Sequence, residues 1–441
     1  MYSVLVKNVT LIDPADSDLL ILENQDIALR DSRIEAIQPT GQLAAYEAEH
    51  TIDGAGMLAL PGLVNTHAHA AMVLFRGAAE DVSVETWFNN YIWPMEINLT
   101  PEDVYWGALL AIAEMIASGV TSVADHYFAM DSIAQAVVES GIRAHLAPTM
   151  FGQDIHTELD QATTFAARWH GAADGRISAW LGPHSPYLCS AAFLSEVAAE
   201  ARRLGLGCHI HVSETAAQVA QSRERHGVTP IQLLAQLGMF DGRLLCAHAT
   251  HATPEEIRLL AQPQAGVAHC PKTFLKLAAG IAPITEMLRQ GVAVGVGSDG
   301  AASNNTMDML EQMRLAAMLQ KHERRDPTAL PIADTLRLAT TGGAHVLGQQ
   351  GQLGRVVVNA LADIILLRLD STHLQPVHNP AAAVVYSARA SDVDTTIVNG
   401  QILMQGRKLR TLDLELILRE VNSRVARLRE RGHGRRLQTY H

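Results

Sequence analysis

The 441-residue sequence is poor in cysteine and has no segment typical of export or membrane insertion. Its four cysteines lie far apart and form no CxxC pair; they are Cys189, Cys208, Cys246 and Cys270. This scarcity excludes a disulfide-stapled scaffold and indicates a reduced protein. No basic segment followed by an apolar one opens the chain, and no apolar run approaches the roughly 20 residues that span a bilayer. We therefore expect a cytoplasmic protein with no membrane partner.

Positive charge is also scarce. The chain has 34 lysines and arginines against 46 aspartates and glutamates, which gives a formal net charge of -12. This balance argues against a nucleic-acid partner, because phosphate binding relies on an excess of Lys and Arg. Hydrophobic residues make up 48% and charged residues 18% of the chain, which excludes disorder and allows a large core. The length accommodates one large α/β barrel and a smaller domain.

Apolar runs alternate with helical stretches from about Leu58 onward, which is the pattern of a parallel sheet covered by helices. Eight runs are present, at residues 61–66, 120–124, 142–149, 177–182, 206–210, 243–247, 265–268 and 292–297. Helix starts such as Thr100-Pro101 and Thr253-Pro254 lie between them. Eight strand–helix units predict an α/β fold with a (β/α)8 TIM-type barrel. A doubly wound open sheet is the alternative, but no GxGxxG motif follows the first parallel strand.

Short strands at both chain ends predict a second, smaller domain. The first sixty residues alternate apolar runs with turn residues, and further strands are expected at 362–367, 383–386 and 395–398. Asn399-Gly400 between apolar runs indicates a hairpin. We therefore predict a small β-sandwich domain built from residues 1–58 and 349–441, flanking a barrel at 59–348. The basic stretch 419–436 is expected to be a solvated surface helix.

Polar residues, mostly histidines, close the predicted barrel strands. Catalytic residues of barrel enzymes lie at the C-terminal ends of the strands, and only the third predicted strand lacks a candidate there. In chain order, the candidates are His67, His69, Asp125, His126, His184, His211, His248, His269 and Asp299. Histidines at so many strand ends of one barrel predict a shared site.

Four of these side chains predict a metal site. His67 and His69 lie two residues apart, on one side of an extended segment. His211 adds a third imidazole and Asp299 adds a carboxylate. Three nitrogen ligands, one carboxylate and an open position are typical of a catalytic Zn²⁺ site.

A metal of this kind supplies hydroxide near neutral pH, and the reaction then needs a group that moves protons to the leaving group. Glu214, three residues after His211, is the candidate for that role, and a structural acid at a helix start is the alternative. His248 is expected to orient the water, with a fifth metal ligand as the alternative.

Three segments resemble the amidohydrolase superfamily, and within it the branch that includes the 5-methylthioadenosine/S-adenosylhomocysteine deaminases and the triazine aminohydrolases. They are Pro61-Gly62-Leu63-Val64-Asn65-Thr66-His67-Ala68-His69, His211-Val212-Ser213-Glu214 and Ser298-Asp299-Gly300-Ala301-Ala302-Ser303-Asn304-Asn305. The resemblance covers nearly the whole chain, including the flanking β domain. It implies that the metal ligands are His67, His69, His211 and Asp299.

The same resemblance implies roles in catalysis. Glu214 would move protons to the purine ring nitrogen, Asp299 would also accept a proton from the attacking water, and His248 would hydrogen-bond that water. Glu96, in Trp93-Pro94-Met95-Glu96, matches the position that binds the ribose hydroxyls. His184, in Gly182-Pro183-His184, matches a substrate-contacting histidine and replaces the lysine that bridges two metals in hydantoinase-like relatives. We therefore expect one divalent metal per chain, Zn²⁺ with Fe²⁺ as the alternative, and a homo-oligomer.

Two departures from the family pattern bear on the substrate. Residues 144–160 contain no arginine, and Pro148 stands where an arginine that holds an amino-acid carboxylate is expected. Cys270-Pro271-Lys272-Thr273 replaces the more usual Asn-Pro-x-Ser. Lys272 either meets an anionic or carbonyl group or is a solvated loop lysine.

These observations predict a hydrolase that releases ammonia from an aminated nitrogen heterocycle. The favoured substrate is an adenosine-type nucleoside, with 5-methylthioadenosine or adenosine preferred over S-adenosylhomocysteine because the carboxylate clamp is missing. A pterin, a guanine-like base and an s-triazine are the alternative substrates. A barrel that has lost catalysis and only binds a ligand is the alternative of another class.

Overall fold

The computed structural model describes residues 1–15, 18–43 and 47–429, and within them the strands form three hydrogen-bonded sheets. In chain order the strands are β1 Tyr2–Pro14, β2 Leu19–Arg30, β3 Arg33–Pro39, β4 Ala48–Asp53, β5 Met57–Pro61, β6 Leu63–Ala68, β7 Val120–Tyr127, β8 Arg143–Met150, β9 Ile177–Ala179, β10 Gly182–Pro183, β11 Cys208–Val212, β12 Leu244–His248, β13 Ala265–His269, β14 Ala293–Val296, β15 Ile364–Arg368, β16 Val393–Val398, β17 Gln401–Gln405 and β18 Lys408–Leu409.

Each of the eight predicted barrel runs forms a parallel strand, and the run at 177–182 is divided into β9 and β10. One parallel sheet has the order β10-β8-β7-β6, with β9 also paired to β8, and the other has the order β11-β12-β13-β14. Within the described residues no continuous ladder joins these two sheets. Single parallel bridges, Leu181–Cys208 and Ala68–Asp299, link their edges.

Helices follow the parallel strands and begin at the expected signals. Those of six or more residues are α1 Pro101–Ala117, α2 Met130–Ser140, α3 Ile155–Trp169, α4 Ala191–Leu204, α5 Ala216–His226, α6 Pro230–Gln236, α7 Pro254–Leu260, α8 Pro271–Lys276, α9 Ile284–Arg289, α10 Met309–Arg324, α11 Ile332–Leu338, α12 Thr341–Val346 and α13 Leu414–Arg429. The Thr100 side chain accepts the Asp103 amide at the start of α1, as a capping box requires. No helix in the described ranges is both long and apolar enough to cross a bilayer.

Strands from both chain ends share the third sheet. Among the described residues its order is β18-β17-β16-β15-β5-β1-β2-β3, and β4 pairs with β1. Its apolar face forms a core of its own, which includes Val6, Leu11, Ile27, Ile364 and Ile397. The two chain ends therefore meet as predicted, but in one sheet. The β-sandwich and the domain limits 1–58, 59–348 and 349–441 stay predictions.

One local prediction needs correction. The segment 383–386 was expected to be a strand, but residues Ala383–Ser387 are helical. The reason is local, since Asn379 caps the preceding turn and Pro380 occupies its first position, so the apolar residues continue as a helix.

The predicted C-terminal basic helix lies at the surface as α13, with Ile417, Val421 and Leu428 buried against the rest of the protein. In α13, Arg424 and Arg427 pair with Asp103 at the start of α1. Residues 430–436 of the predicted helix lie outside the described residues.

A buried ion pair joins the parallel sheets to the third sheet. Arg143, at the start of β8, donates from Nε to Asp363 Oδ2 at 2.9 Å and from Nη2 to Asp363 Oδ1 at 3.1 Å. Asp363 immediately precedes β15, and its Oδ1 also accepts the Asn399 amide at 2.8 Å. The two side chains are only 6% and 3% exposed, so each depends on the other for compensation of its charge.

Asp363→Asn is expected to lower the free energy of unfolding by about 3–5 kcal/mol, because it leaves the Arg143 guanidinium buried without a counter-charge. Urea unfolding followed by circular dichroism measures this change. The matched control is Asp370→Asn, which breaks an exposed Arg368–Asp370 pair and should cost less than about 1 kcal/mol. Equal losses in the two variants would contradict the structural role of the buried pair.

Candidate functional site

Imidazole nitrogens and one carboxylate converge at the C-terminal ends of the parallel strands. His67 Nε2 and His69 Nε2 lie 3.5 and 3.3 Å from Asp299 Oδ1, and His211 Nε2 lies 3.3 Å from His69 Nε2. Potential ligand atoms of His67, His69 and His211 lie within 4.8 Å of one another, as do those of His67, His248 and Asp299. The structure thus brings together the four side chains expected to bind a metal, with His248 beside them.

Backbone carbonyls fix the tautomers of two of these imidazoles. His69 Nδ1 donates to the His126 carbonyl at 2.6 Å, and His211 Nδ1 donates to the His184 carbonyl at 2.8 Å. A histidine with its proton on Nδ1 presents an unprotonated Nε2. Burial also lowers the pKa of His211 well below its usual range, which favours the neutral ring that metals bind. Burial lowers the pKa of His69, but the Asp299 carboxylate and the His126 carbonyl raise it to about 9. A cation bound at His69 Nε2 would therefore replace a proton there, whereas His211 Nε2 carries none.

His67 is oriented by a second histidine. Its Nδ1 lies 2.8 Å from His209 Nε2, while its own Nε2 is buried and has no hydrogen-bond partner. An unpartnered buried nitrogen is costly unless something binds it. A metal ion among His67, His69, His211 and Asp299 would satisfy that nitrogen, so the donor set fits a divalent metal.

Asp299 is held by the strands at the edge of each parallel sheet. Its amide donates to the His67 carbonyl at 2.9 Å, and the preceding Ser298 amide donates to Asn65 Oδ1 at 2.9 Å. Burial alone would raise the pKa of Asp299, but the adjacent imidazoles of His67 and His69 hold it well below the usual range. The carboxylate is thus ionised, as a metal ligand must be.

The backbone turns sharply at the strand ends. Asp299 has φ 61°, Ser213 has φ 48° and His248 has φ 80°, all in the left-handed region that non-glycine residues avoid. Each residue in this conformation raises the free energy of the folded state by about 1–3 kcal/mol, and such residues cluster at functional sites. Their position beside the convergent nitrogens supports a site maintained for function rather than for stability.

Glu214 faces the same cavity as the metal-binding group. Its Oε2 accepts Tyr187 Oη at 3.1 Å and Gln218 Nε2 at 3.3 Å. Burial first, and the nearby Asp299 carboxylate second, raise the pKa of Glu214 above its ordinary value. A carboxyl group that gains and loses a proton closer to neutral pH is suited to proton transfer.

The convergent side chains open into a cavity. His69, His211, His248 and Asp299 line one part of it together with Glu214 and His184. Aromatic residues supply most of the remaining wall; they are Trp87, Phe88, Trp93, Tyr127, Phe128 and Phe151. Phe151 stacks on the His184 ring at a centroid distance of 5.2 Å. Apolar planes with a few polar groups suit a flat heterocycle.

Glu96 is the third acid of the cavity, after Asp299 and Glu214. It is 7% exposed, and its Oε1 accepts Tyr127 Oη at 2.5 Å. Burial raises the pKa of Glu96 to about 7, although the Tyr127 hydrogen bond and His69 act in the opposite direction. Besides Asp299, the cavity thus contains two carboxyl groups with different partners: Glu96 accepts a hydrogen bond from Tyr127, and Glu214 accepts one from Tyr187.

The remaining strand-end residues support the wall. Asp125 accepts the Ala70 amide at 3.2 Å, and His126 Nε2 donates to the Gly182 carbonyl at 2.9 Å. His269 is buried and does not line the cavity.

Lys272 has a structural role that neither interpretation of the sequence anticipated. Its Nζ lies 2.7 Å from Glu311 Oε2 and 3.1 Å from Thr306 Oγ1, and its side chain is 21% exposed. It does not line the cavity, so it is neither a solvated loop lysine nor a substrate clamp.

Sequence reasoning missed Tyr127, Tyr187 and His209. These residues form hydrogen bonds with Glu96, Glu214 and His67, respectively. Each lies within or next to a segment that the sequence analysis had singled out. Two residues after Asp125, Tyr127 continues the same strand end, and His209 precedes His211 by the same spacing. That alternation was the available signal.

A family model described as the amidohydrolase family matches residues 58–403. The chain belongs to this family. A 5-methylthioadenosine/S-adenosylhomocysteine deaminase of Desulforudis audaxviator is 47% identical over 97% of this chain and 99% of the relative. A zinc-bound adenosine deaminase from Xanthomonas campestris has a TM-score of 0.93 at 32% identity, covering 97% of this chain and 99% of that one. A zinc-complexed atrazine chlorohydrolase from Arthrobacter aurescens has a TM-score of 0.88 at 28% identity, covering 96% and 100%.

The raised pKa of Glu96 predicts a pH-dependent stability difference from Glu96→Gln. Between about pH 4.5 and pH 7 the native carboxyl keeps a proton that the unfolded chain releases, so this contribution to stability is complete below pH 4.5 and is lost as pH rises through 7. The Tm of Glu96→Gln minus that of the wild type should therefore increase with pH across this window. Calorimetry with a chelator present, so that no bound cation adds its charge, measures the difference, and a flat or falling curve would contradict the assignment.

Proposed function

We propose that this protein is a metal-dependent hydrolytic deaminase of an adenosine-type nucleoside, such as 5-methylthioadenosine or adenosine. The observation that carries the proposal is the convergence of three imidazole nitrogens and the Asp299 carboxylate at the cavity that Glu214 also lines. Relatives at 43–47% identity over nearly the whole chain are named 5-methylthioadenosine/S-adenosylhomocysteine deaminases, which favours a nucleoside over a triazine or a free base.

One divalent metal, Zn²⁺ in preference to Fe²⁺, would be held by His67, His69, His211 and Asp299. Zinc favours nitrogen ligands with one carboxylate in catalytic sites, and the two solved relatives described above contain zinc. When bound, such a metal lowers the pKa of a coordinated water from 15.7 to roughly 7 and so supplies the nucleophile.

The side chains divide the proton transfers between them. Asp299 is ionised and accepts a proton from the attacking water, while His248, next to it, hydrogen-bonds that water. Glu214 protonates the ring nitrogen beside the amine-bearing carbon, so that negative charge does not build up on the ring when the carbon becomes tetrahedral. Asp299 then passes its proton to the amino group, and the C–N bond breaks with release of ammonia. The proton of the new hydroxyl group returns to Glu214 as the carbonyl forms.

The rest of the cavity would bind the nucleoside. Glu96 offers two acceptor oxygens, which suit the paired hydroxyls of a ribose, and Tyr127 holds its carboxyl in place. His184 and the stacked Phe151 lie where a purine ring could be contacted.

We further infer that the two parallel sheets form one (β/α)8 barrel. An apolar cluster joins strand residues of both sheets, namely Val64, Ala124, Ala147, Leu245, Ala268 and Ala293, and would fill the barrel interior. It also includes Trp180, between β9 and β10, and Val346 and Leu347 at the end of α12. The partner of the protein would be a small-molecule heterocycle, and a homo-oligomeric, cytoplasmic enzyme stays the expectation.

Purified protein should contain about one equivalent of divalent metal per chain, since three imidazoles and one carboxylate form one site. His211→Ala should lose most of it, because a ligand is removed. The matched control is His226→Ala, an exposed histidine on α5 that should leave metal content unchanged. Inductively coupled plasma mass spectrometry measures the metal content per chain. Two tightly bound metals per chain would refute the single-metal assignment.

Glu214→Gln should retain the metal but lower kcat for ammonia release by about 10²- to 10⁴-fold, because it removes proton transfer in the transition state. Glu224→Gln removes an exposed acid from the neighbouring helix α5 and should leave kcat unchanged. Ammonia release from 5-methylthioadenosine and adenosine is measured for both variants. A near-normal kcat in Glu214→Gln would rule out the proton-transfer role.

A further inference from the structure

A second cavity adjoins the one that holds the metal-binding group. Tyr127, Phe128 and Thr149 line both cavities. Tyr127 also donates to Glu96, the proposed ribose acceptor, so the wall between the cavities lies on the ribose side of the site. A substituent on the ribose of a bound nucleoside would therefore extend past these residues into the second cavity.

The ionisable side chains that line the second cavity are mostly acidic. They are Asp131, Glu158, Asp160 and Arg168. The Arg168 guanidinium is already paired with Asp131, at 2.9 Å between Nη1 and Oδ1. The lining thus has no cationic side chain that is not already paired and could bind a carboxylate on the substrate. Its net negative charge would repel such a carboxylate.

Backbone amides that could bind a carboxylate are occupied by the protein itself. Glu158 Oε2 accepts the amides of Phe151 and Gly152 at 2.5 and 2.9 Å, and its Oε1 accepts those of Gln153 and Asp154 at 2.8 and 3.2 Å. Four amides on one carboxylate are the full complement that such a group accepts. Phe151, the first of these residues, lines the first cavity.

We infer that Glu158 is a specificity-determining residue. Its carboxylate fills the amide nest beside the second cavity, so this cavity accepts an uncharged or ammonium-bearing ribose substituent and rejects one with a carboxylate. The inference rests on the proposed nucleoside deamination and extends it to the substituent. Glu158 also acts as a positioning residue, because the amides that it binds hold the loop that carries Phe151.

The sharpest test compares two substrates that differ by one carboxylate. S-adenosylhomocysteine and its decarboxylated analogue both have the ammonium group, and only the first has the carboxylate. In the wild type, kcat/KM should favour the decarboxylated analogue by about tenfold or more. Glu158→Ala should reduce this preference by about tenfold, because the vacated amides accept the substrate carboxylate.

The preference is a ratio measured on one protein sample, so it does not depend on how much of the variant is correctly folded. Asp160→Ala removes another acid of the same cavity without opening the amide nest, and should change the ratio by less than about threefold. Adding acetate to Glu158→Ala should restore the wild-type ratio, whereas chloride at the same ionic strength should not, because acetate occupies the vacated amides.

Three results would overturn the assignment of Glu158. The substrate preference could be unchanged in Glu158→Ala, it could be the same in Glu158→Ala and Asp160→Ala, or chloride and acetate could have equal effects on it. The failure of the proposed function has a different signature, because the wild type would then release no ammonia from 5-methylthioadenosine, adenosine or either test substrate. Activity on 5-methylthioadenosine with an unchanged ratio would leave the deaminase proposal intact and refute the role of Glu158.

Discussion

The site depends on hydrogen bonds from imidazole Nδ1 atoms to backbone carbonyls of neighbouring strand ends. His69 donates to the carbonyl of His126, at the end of β7, and His211 donates to that of His184, after β10. Because the acceptors belong to the backbone, the ring orientations are as rigid as the sheets themselves. Both Nε2 atoms consequently point to one place before any ligand binds, and this pre-organisation limits the cost of ordering the site.

A change of electrostatic character along the two cavities follows from this arrangement. At one end, imidazole nitrogens and the Asp299 carboxylate lie close enough together to hold a cation. Glu214 lies beside these groups, aromatic walls and the protonatable Glu96 line the rest of the first cavity, and the second cavity is acidic. This order of electrostatic environments would favour a ligand with a nearly uncharged ring, bound between the cation site and the acidic cavity.

The sequence predicted the strand-end residues well because parallel strands impose a simple rule. Every buried apolar run ends at the same edge of its sheet, so the polar residues that follow, such as His67, His211 and Asp299, must be neighbours. The contacts of Tyr127, Tyr187 and Glu158 could not be predicted in this way. They depend on loop conformations and on side-chain directions, which are decided only when distant segments pack.

The same distinction explains the local errors. The apolar run 383–386 has strand-like composition, but the cap from Asn379 and the position of Pro380 favour a helix. Lys272 has a loop position that suggests either solvent or substrate, and the decisive partner, Glu311, is 39 residues away in the chain. Composition and spacing do not encode partners at such separations.

X-ray absorption spectroscopy of the zinc-loaded protein, combined with anomalous diffraction at the zinc edge, tests the central claim most directly. The account predicts one zinc per chain, with the Nε2 atoms of His67, His69 and His211 at about 2.0–2.1 Å and an oxygen of Asp299 at a similar distance. Zinc bound by a different set of side chains, or through Nδ1 of His69 or His211, would contradict it.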